Sequence, residues 1–191
     1  PVMTITPATS SQRRRPGAGK GTLIRGLLER IPGLELSVSA TTRPPRPGER
    51  DGVDYHFLTP AEFDEQVRAG NFLEQATYSG NCYGTLRDEV LRRTRVGAPV
   101  VLEIEVQGAR QVRRELPDAL AVFIAPPSLQ TLKSRLQGRG TDTPEQVEAR
   151  LRTAERELEA RSEFGHVVVN DDLARAVDEL TGIVGDAVGS R

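Results

Sequence analysis

The sequence predicts a three-layer α/β fold in which a parallel sheet lies between two layers of helices. Two short apolar runs, Pro99 to Ile104 and Ala119 to Ala125, are typical of strands that are buried on both faces. Runs with helical spacing alternate with these strands, and a glycine-rich segment opens the first helix. This alternation indicates βαβ units, in which ligands gather at the carboxyl ends of the strands.

The composition limits the class of protein. A chain of 191 residues with a formal net charge of −1 and 37% hydrophobic residues predicts one soluble globular domain, with room for a small inserted lobe and no nucleic-acid partner. The single Cys82 excludes an internal disulfide and fits a reducing compartment. No apolar run approaches the roughly 20 residues of a membrane span, so we expect a cytoplasmic protein that does not bind a membrane.

The segment from Pro16 to Thr22 has the residue types of a phosphate-binding loop. Glycines let the backbone approach a polyanion closely, successive N–H groups can then converge on phosphate oxygens, and the helix that follows adds its positive end. A lysine in the loop would reach the terminal phosphates. The candidate phosphate-binding residues are Gly17, Ala18, Gly19, Lys20, Gly21 and Thr22.

This loop departs from the full pattern G-x-x-x-x-G-K-[ST] at two positions. Arg14 stands where the pattern has glycine, and Gly21 stands where it has a hydroxyl, which Thr22 supplies one residue later. Residues 8–13 contain no large apolar side chain, so the only candidate for a preceding strand is Val2 to Thr6, about ten residues upstream. The stretch alone therefore fits two interpretations, a working phosphate loop and a glycine-rich helix entry without chemical meaning.

Local signals place the elements of the first half of the chain. Apolar residues recur at helical spacing from Thr22 to Ile31, and Pro32 and Gly33 end that helix. Leu34 to Ser39 alternates like a short strand. Two further helices are predicted over Pro60 to Gly70 and Leu86 to Val96.

The second half contains three further helices and a last strand. Ser128 is placed to cap a helix with Leu129, Leu132 and Leu136, and a charged helix is predicted over Glu145 to Ser162. Val167 to Val169 predicts the last strand. The run 170–172 is then placed to cap a C-terminal helix with apolar residues up to Val184.

A proline-rich segment, Ala40 to Glu49, cannot be a helix or an inner strand. It presents Arg43 and Arg46 among several hydroxyls on a stiff loop, which suits the binding of an anion. The alternative is a solvent-facing connection.

Many separate motifs resemble, in the right order, those of the guanylate kinase family. The resemblance covers about residues 17 to 185 and is carried by Ser37 to Glu49, Asp51 to Phe57, Phe72 to Glu74, Gly80 to Thr85, Leu102 to Gly108, Ile124 to Ser128, Arg135 to Thr141 and Val169 to Asp172.

The resemblance implies a site for GMP, built from residues between 39 and 105. Arginines and tyrosines would bind the monophosphate, and a carboxylate would accept hydrogen bonds from the guanine N1–H and 2-amino groups, which adenine cannot match. Glu103 and Glu105 would serve the ribose, the 2-amino group and the Mg²⁺ shell, with their individual roles left open. The implied GMP ligands are Ser39, Arg43, Arg46, Tyr55, Glu74, Tyr83, Thr85, Glu103 and Glu105.

The resemblance also implies ATP as the phosphoryl donor, with Mg²⁺ bridging its phosphates and the hydroxyl of Thr22 as a candidate metal ligand. Arg135, Arg139 and Arg150 would contact the transferring phosphoryl group, and Asn170 would lie beside the adenine. The implied catalytic residues are Lys20, Arg43, Arg135, Arg139 and Arg150. Residues 1–16 are predicted as an irregular N-terminal segment or a degenerate first strand, and residues 17–191 as a P-loop kinase domain with a GMP-binding lobe at about 40–95 and a lid at about 137–160.

The expected reaction is phosphorylation of GMP, and of dGMP, by ATP in purine nucleotide metabolism. Two alternatives stay open at the level of sequence. The first is a guanylate-kinase-like protein that binds GMP or a partner with weak or no turnover, because the entry to the phosphate loop is degenerate. The second is a kinase for AMP, because Pro16 to Thr22 also resembles the loop of adenylate kinases.

Overall fold

A computed structural model describes residues 1–8, 20–78, 80–138 and 143–189 of the chain. By its contacts the chain divides into two compact units: the first comprises Pro1–Thr4, Gly33–Glu103 and Gln107–Ala119, and the second comprises Ile5–Pro32, Ile104–Val106 and Leu120–Arg191. The strands are β1 (Val2–Pro7), β2 (Glu35–Leu36), β3 (Ala40–Thr41), β4 (His56–Phe57), β5 (Phe72–Tyr78), β6 (Asn81–Leu86), β7 (Val100–Glu103), β8 (Leu120–Ala125) and β9 (His166–Val169). The helices are α1 (Lys20–Arg30), α2 (Pro60–Arg68), α3 (Arg87–Arg95), α4 (Val106–Glu115), α5 (Leu129–Gln137), α6 (Pro144–Glu159) and α7 (Leu173–Gly189), with a 3-10 turn at Ala160–Glu163.

Five strands form a parallel sheet in the order β2-β7-β1-β8-β9, which confirms the predicted fold class. Strand β2 pairs in parallel with β7, and β8 pairs in parallel with β9. The hydrogen bonds from Val100 N to the Pro1 carbonyl (3.0 Å) and from Ile104 N to the Ile5 carbonyl (3.3 Å) advance in the same direction along both strands. Strand β1 therefore runs parallel to β7 and occupies the middle of the sheet.

The position of β1 answers the question raised by the polar residues before the glycine loop. Met3 and Ile5 are fully buried, at 0% and 1% exposure, although the segment alternates only weakly. Val2–Pro7 therefore forms the first strand, and it supplies the middle position of the five-stranded sheet. Arg14 and Pro16 lie outside the described residues.

The inner strands β7 and β8 read as apolar runs because both of their faces are covered. Val100, Val101 and Leu102 are each 0% exposed, as are Val122 and Phe123 in β8. A strand with one solvated face would alternate with polar residues instead. The two runs were predicted correctly, with β7 ending at Glu103.

Side-chain caps fix where several helices begin. Thr59 accepts a hydrogen bond from the Glu62 N–H at the start of α2, and the Glu62 carboxylate accepts one in return from the Thr59 N–H, a capping box. Thr143 and Gln146 make the same exchange at α6, and Ser128 caps α5 as predicted. Helix α6 is shorter than predicted because the chain tightens into a 3-10 turn at Ala160.

A second sheet of four strands, in the order β4-β3-β6-β5, belongs to the first unit. Strands β5 and β6 form an antiparallel hairpin in which Glu74 lies opposite Thr85. The strands approach so closely beside this pair that a Cβ at Gly84 would lie 2.7 Å from the Glu74 carbonyl oxygen. Only glycine therefore fits at that point of β6.

Two expectations differ from the structure. The strand predicted over Leu34 to Ser39 is limited to Glu35–Leu36, because the chain leaves β7 after the hydrogen bond from the Ser37 N–H to the Val101 carbonyl (2.9 Å) and continues to β3 in the other sheet. Helix α4 was not predicted: its apolar residues Val106, Ala109 and Val112 follow directly on the motif around Glu103 and Glu105. Within the described ranges, no helix is both long and apolar enough to cross a membrane.

Candidate active site

Arg43 lies inside the proline-rich loop and is only 9% exposed. Its Nη2 donates to both carboxylate oxygens of Glu49, at 3.0 and 2.9 Å, and its Nη1 donates to the Pro44 carbonyl at 2.6 Å. The Arg46 N–H donates to the same carboxylate at 2.8 Å. Glu49 therefore joins the two arginines that were predicted to bind a phosphate.

The ionised form of Glu49 is favoured by these contacts. Burial by itself would raise the pKa of this carboxyl group, but the hydrogen bonds from the Arg46 N–H and the Arg43 side chain, together with the charges of both arginines, lower it below its ordinary value. The carboxylate stays charged at neutral pH, and it stabilises a buried guanidinium that would otherwise be costly.

Aromatic rings cover the Arg43 side chain. Its guanidinium carbon lies 5.4 Å from the centroid of Tyr55 and 5.8 Å from that of Phe57, and Tyr55 packs edge to face on Tyr83 at 6.3 Å. The Nε of Arg43 is buried and has no acceptor within the part of the chain that the structure describes. A buried cationic donor beside the rings of Tyr55 and Phe57 has the chemistry to bind an anion.

Glu74 and Thr85 form a buried polar pair across the β5–β6 hairpin. They are 6% and 0% exposed, and the Thr85 hydroxyl donates to the Glu74 Oε1 at 2.7 Å. The antiparallel register and the close approach at Gly84 fix this pair. A carboxylate held in this way can accept hydrogen bonds from a planar ligand that carries adjacent N–H groups.

The remaining predicted GMP ligands occupy connections and strand ends. Ser39 is partly buried just before β3, and its carbonyl accepts from the His56 N–H at 2.9 Å. Arg46 is partly exposed. Glu103 is the last residue of β7, and Glu105 lies in the connection to α4, so the two carboxylates do not share one face of a strand.

In the second unit, α1 begins at Lys20, so that Lys20, Gly21 and Thr22 form its first turn. The Thr22 side chain is partly exposed there. The N-terminal end of a helix favours anions, which fits the predicted role of this turn. The predicted loop residues Gly17, Ala18 and Gly19 lie outside the described residues.

Arg135 and Asn170 are brought together in the same unit. Arg135 Nη1 donates to the Asn170 carbonyl at 3.0 Å, and Nη2 donates to the Asp171 carbonyl at 3.5 Å. Arg150 is partly buried on α6, which packs on α5 through a cluster that includes Leu132 and Val147. Arg139 lies outside the described residues.

Sequence reasoning missed the role of Glu49. The signal was present, because this glutamate follows Arg46 by three residues across a Pro-Gly turn, where its side chain can fold back onto the loop. It also missed Glu89, a carboxylate on α3 that is 3% exposed, because nothing in a charged helical segment distinguishes one buried glutamate from its solvated neighbours.

Comparisons with known proteins identify the family to which these features belong. The family model described as guanylate kinase matches residues 15–187. A guanylate kinase of Gloeobacter violaceus is 57% identical over 164 residues, which are 86% of this chain and 80% of that protein. A guanylate kinase of Thermobifida fusca is 51% identical over 168 residues, 88% of this chain and 86% of that protein.

A solved structure supports the same assignment. The crystal structure of guanylate kinase from Anaplasma phagocytophilum matches with a TM-score of 0.75 and 27% identity, covering 97% of this chain and 85% of that chain. The fold is therefore that of a nucleotide-binding α/β kinase. The chain belongs to the guanylate kinase family, and the resemblance drawn from its motifs is confirmed.

Proposed function

We propose that this protein transfers the terminal phosphoryl group of ATP to GMP, and to dGMP, giving ADP and GDP or dGDP. The observation that carries the proposal is the match to the guanylate kinase family over residues 15–187. The buried Glu74–Thr85 pair and the buried Arg43 supply the chemistry that a guanine base and a monophosphate require.

Recognition of the base would rest on Glu74, Thr85 and Ser39. The Glu74 carboxylate accepts hydrogen bonds, and guanine offers two adjacent donors at N1–H and the 2-amino group. Adenine lacks this pair of donors, so its binding would not supply the hydrogen bonds that guanine offers to the buried carboxylate. The Thr85 hydroxyl holds Glu74 Oε1 at 2.7 Å and so fixes the direction in which the carboxylate faces.

The GMP phosphate would be bound by Arg43 and Arg46, with hydroxyl hydrogen bonds from Tyr55 and Tyr83. Arg43 is already oriented by Glu49, and its buried Nε provides a donor that an oxygen of the phosphate can take up. Because the loop holds the Arg43 guanidinium in place before the ligand arrives, little ordering of this cation remains to be done on binding.

The ATP side would be formed by residues 17–22 and Asn170, with charge neutralisation by Lys20, Arg135, Arg139 and Arg150. Phosphoryl transfer needs positioning and charge stabilisation more than covalent chemistry from the protein. Glu103 and Glu105 would contact the ribose, the 2-amino group or the metal shell. No side chain is required to act as a base.

Mg²⁺ fits the donor set of this site. The ion prefers oxygen ligands and commonly combines one or two protein oxygens with substrate phosphates and water. Thr22 presents a partly exposed hydroxyl in the first turn of α1, where a nucleotide phosphate would also lie. Thr22 would hold the metal, whose positive charge would offset part of the negative charge of the phosphates.

For the domains we propose a kinase domain at 17–191, to which β1 adds the middle strand of the sheet, with a GMP-binding lobe at about 40–95 and a lid at about 137–160. The single Cys82 fits the reducing cytoplasm that we propose as the location. A family member that binds GMP without turnover, and a kinase for AMP, are the other two functions considered; nothing in the comparisons favours either one.

A substrate panel tests the proposal. At fixed ATP and Mg²⁺, a coupled assay of ADP formation compares GMP, dGMP, AMP, CMP and UMP. Turnover with GMP and dGMP alone is expected. Binding of GMP by calorimetry without turnover would establish the non-catalytic alternative, and turnover with AMP would contradict the assignment of Glu74.

A further inference from the structure

Glu89 is a buried carboxylate outside the residues assigned so far. It lies in the first turn of α3, and its side chain is 2% exposed. Burying a carboxylate in this way is costly unless cations or N–H donors meet it. The contacts of Glu89 therefore show which groups stabilise the buried carboxylate and which segments it connects.

Two arginine side chains and one backbone N–H donate to this carboxylate within the first unit, and a histidine side chain lies near it. Arg93 donates to Oε1 through Nε at 2.8 Å, and Arg92 contacts Oε2 from the same helix. The backbone N–H of Val38 donates to Oε1 at 3.2 Å, and His56 Nε2 lies 3.8 Å from Oε2. Arg93 also pairs with Glu35 in β2. One carboxylate thus joins α3 to two segments that are far from it in sequence.

Those two segments carry predicted GMP ligands. Val38 directly precedes Ser39, and His56 directly follows Tyr55. The two segments are also joined to each other, because the His56 N–H donates to the Ser39 carbonyl at 2.9 Å. A shift of either segment would move a residue that we expect to contact GMP.

The geometry points to Glu89 as a positioning residue that fixes the backbone of Ser39 and Tyr55 for GMP. This inference rests on the proposed function for the identity of the ligand. The arrangement itself is independent of it: a buried carboxylate accepts hydrogen bonds from α3 and from the Val38 N–H, and it lies 3.8 Å from His56 Nε2 on β4. Burial alone would raise the pKa of Glu89, but the hydrogen bonds from Arg93 and Val38 lower it, so the carboxylate is charged when it makes these contacts.

Glu89→Ala and Glu89→Gln test the role, with Asp88→Ala as the matched control, because Asp88 is exposed on the same turn of α3. Calorimetry gives the Kd for GMP and for ATP, and kinetics gives the KM for each. Hydrogen exchange at the amides of Val38 and His56 reports, without any ligand, how firmly these two hydrogen-bonded segments are held.

We expect Glu89→Ala to raise the Kd and the KM for GMP about tenfold, with both ATP constants within about twofold of the unaltered chain. Exchange at Val38 and His56 should accelerate. Glu89→Gln should have GMP constants between those of Glu89→Ala and the unaltered chain, since its side-chain carbonyl still accepts from the Val38 N–H. If Glu89→Ala does not fold, Glu89→Gln is the variant that tests the role. The control should match the unaltered chain.

Unchanged GMP affinity in a folded Glu89 variant would overturn the inference, as would an equal loss of GMP and ATP affinity, which indicates general destabilisation. If the unaltered chain does not bind GMP, the proposed function fails. Hydrogen exchange in the Glu89 variants is then the only test of the positioning role. Faster exchange at the amides of Val38 and His56 supports this role, and unchanged exchange overturns it.

Discussion

Arg43 and Arg135 are both predicted to contact phosphate, yet their surroundings differ. The Arg43 guanidinium faces the Glu49 carboxylate at 2.9 Å and is covered by aromatic rings. Arg135 donates to the carbonyls of Asn170 and Asp171. A carboxylate neutralises a cation, whereas a carbonyl only orients it. The first arrangement suits a stable binding site for a substrate, and the second suits a charge whose effect is needed during the transfer step.

The largest effect is expected at Arg135. Arg135→Ala should lower kcat about 10²–10³-fold, the cost of one donor to developing charge, with little change in the KM for GMP. Lys133→Ala is the control, because Lys133 is exposed on the same helix. Steady-state kinetics tests this prediction. A raised KM for GMP with an unchanged kcat would show that Arg135 binds the substrate in the ground state, as we propose for Arg43.

The next largest effect is expected at Glu74, which we propose to recognise the base together with Thr85. Glu74→Ala should weaken GMP binding by about 1–3 kcal/mol, or about 5- to 150-fold, because a buried hydrogen-bonded contact is lost. Calorimetry measures the loss directly. Thr77→Ala, on the same strand but at an exposed position, should leave GMP affinity unchanged. Equal GMP affinity in the Glu74 variant would remove this residue from recognition of the base.

Glu49→Gln tests whether the countercharge orients Arg43 or competes with the phosphate. We expect GMP to bind about fivefold more weakly, since the ion pair between Glu49 and Arg43 is lost and the hydrogen bond from the Arg46 N–H becomes a neutral one. Calorimetry shows whether the affinity for GMP falls or rises in this variant. Tighter binding would show that Glu49 competes with the ligand for Arg43.

The same variant should change the response to acid. The pKa of Glu49 is lowered in the folded protein, so its contribution to stability is complete above its unfolded pKa and is lost as the pH falls through the folded value. The difference in Tm between the natural chain and Glu49→Gln should therefore shrink as the pH is lowered from about 5 toward 3. A difference that stays constant would mean that the charge of Glu49 does not stabilise the fold.

The smallest effect is expected at an exposed pair beside the Arg135 contact. The hydrogen bond from Arg175, followed by that from the Asp172 N–H, lowers the pKa of Asp171 to about 2. Arg175→Ala should move this pKa back toward its ordinary value, as measured by NMR titration, with kcat and Tm almost unchanged because the pair is solvated. A clear loss of kcat would show that the loop carbonyls orient Arg135 through this pair.

Most of the fold could be predicted from sequence because its signals are local. The apolar runs that became β7 and β8, the Thr59-Pro60 start of α2 and the Ser128 cap of α5 each depend on a few adjacent residues. Helix α4 was missed because its apolar positions merge with the motif before it, so no start signal separates them.

The residues of the candidate site also fall into two groups, those that the sequence predicted and those that it did not. Its ligands were predicted through motifs, because a motif records which residue types occur together. The residues that hold those ligands were not predicted. Glu89 contacts Val38 across 51 positions of the chain, and Glu49 binds Arg43 through the fold of a proline-rich loop. Such partners follow from the three-dimensional path of the backbone, which no local pattern encodes.

Gly84 limits how the base specificity of this protein could be redesigned. A side chain there would collide with the Glu74 carbonyl oxygen at 2.7 Å and with the Phe72 ring at 2.8 Å. This position therefore sets the spacing of the two strands, although it is not among the residues proposed to bind the base. A library aimed at a different nucleobase should vary residues 74 and 85 and leave residue 84 unchanged. Variants at residue 84 would push β5 and β6 apart. Their loss of binding would reflect a disrupted hairpin and would give no information about base specificity.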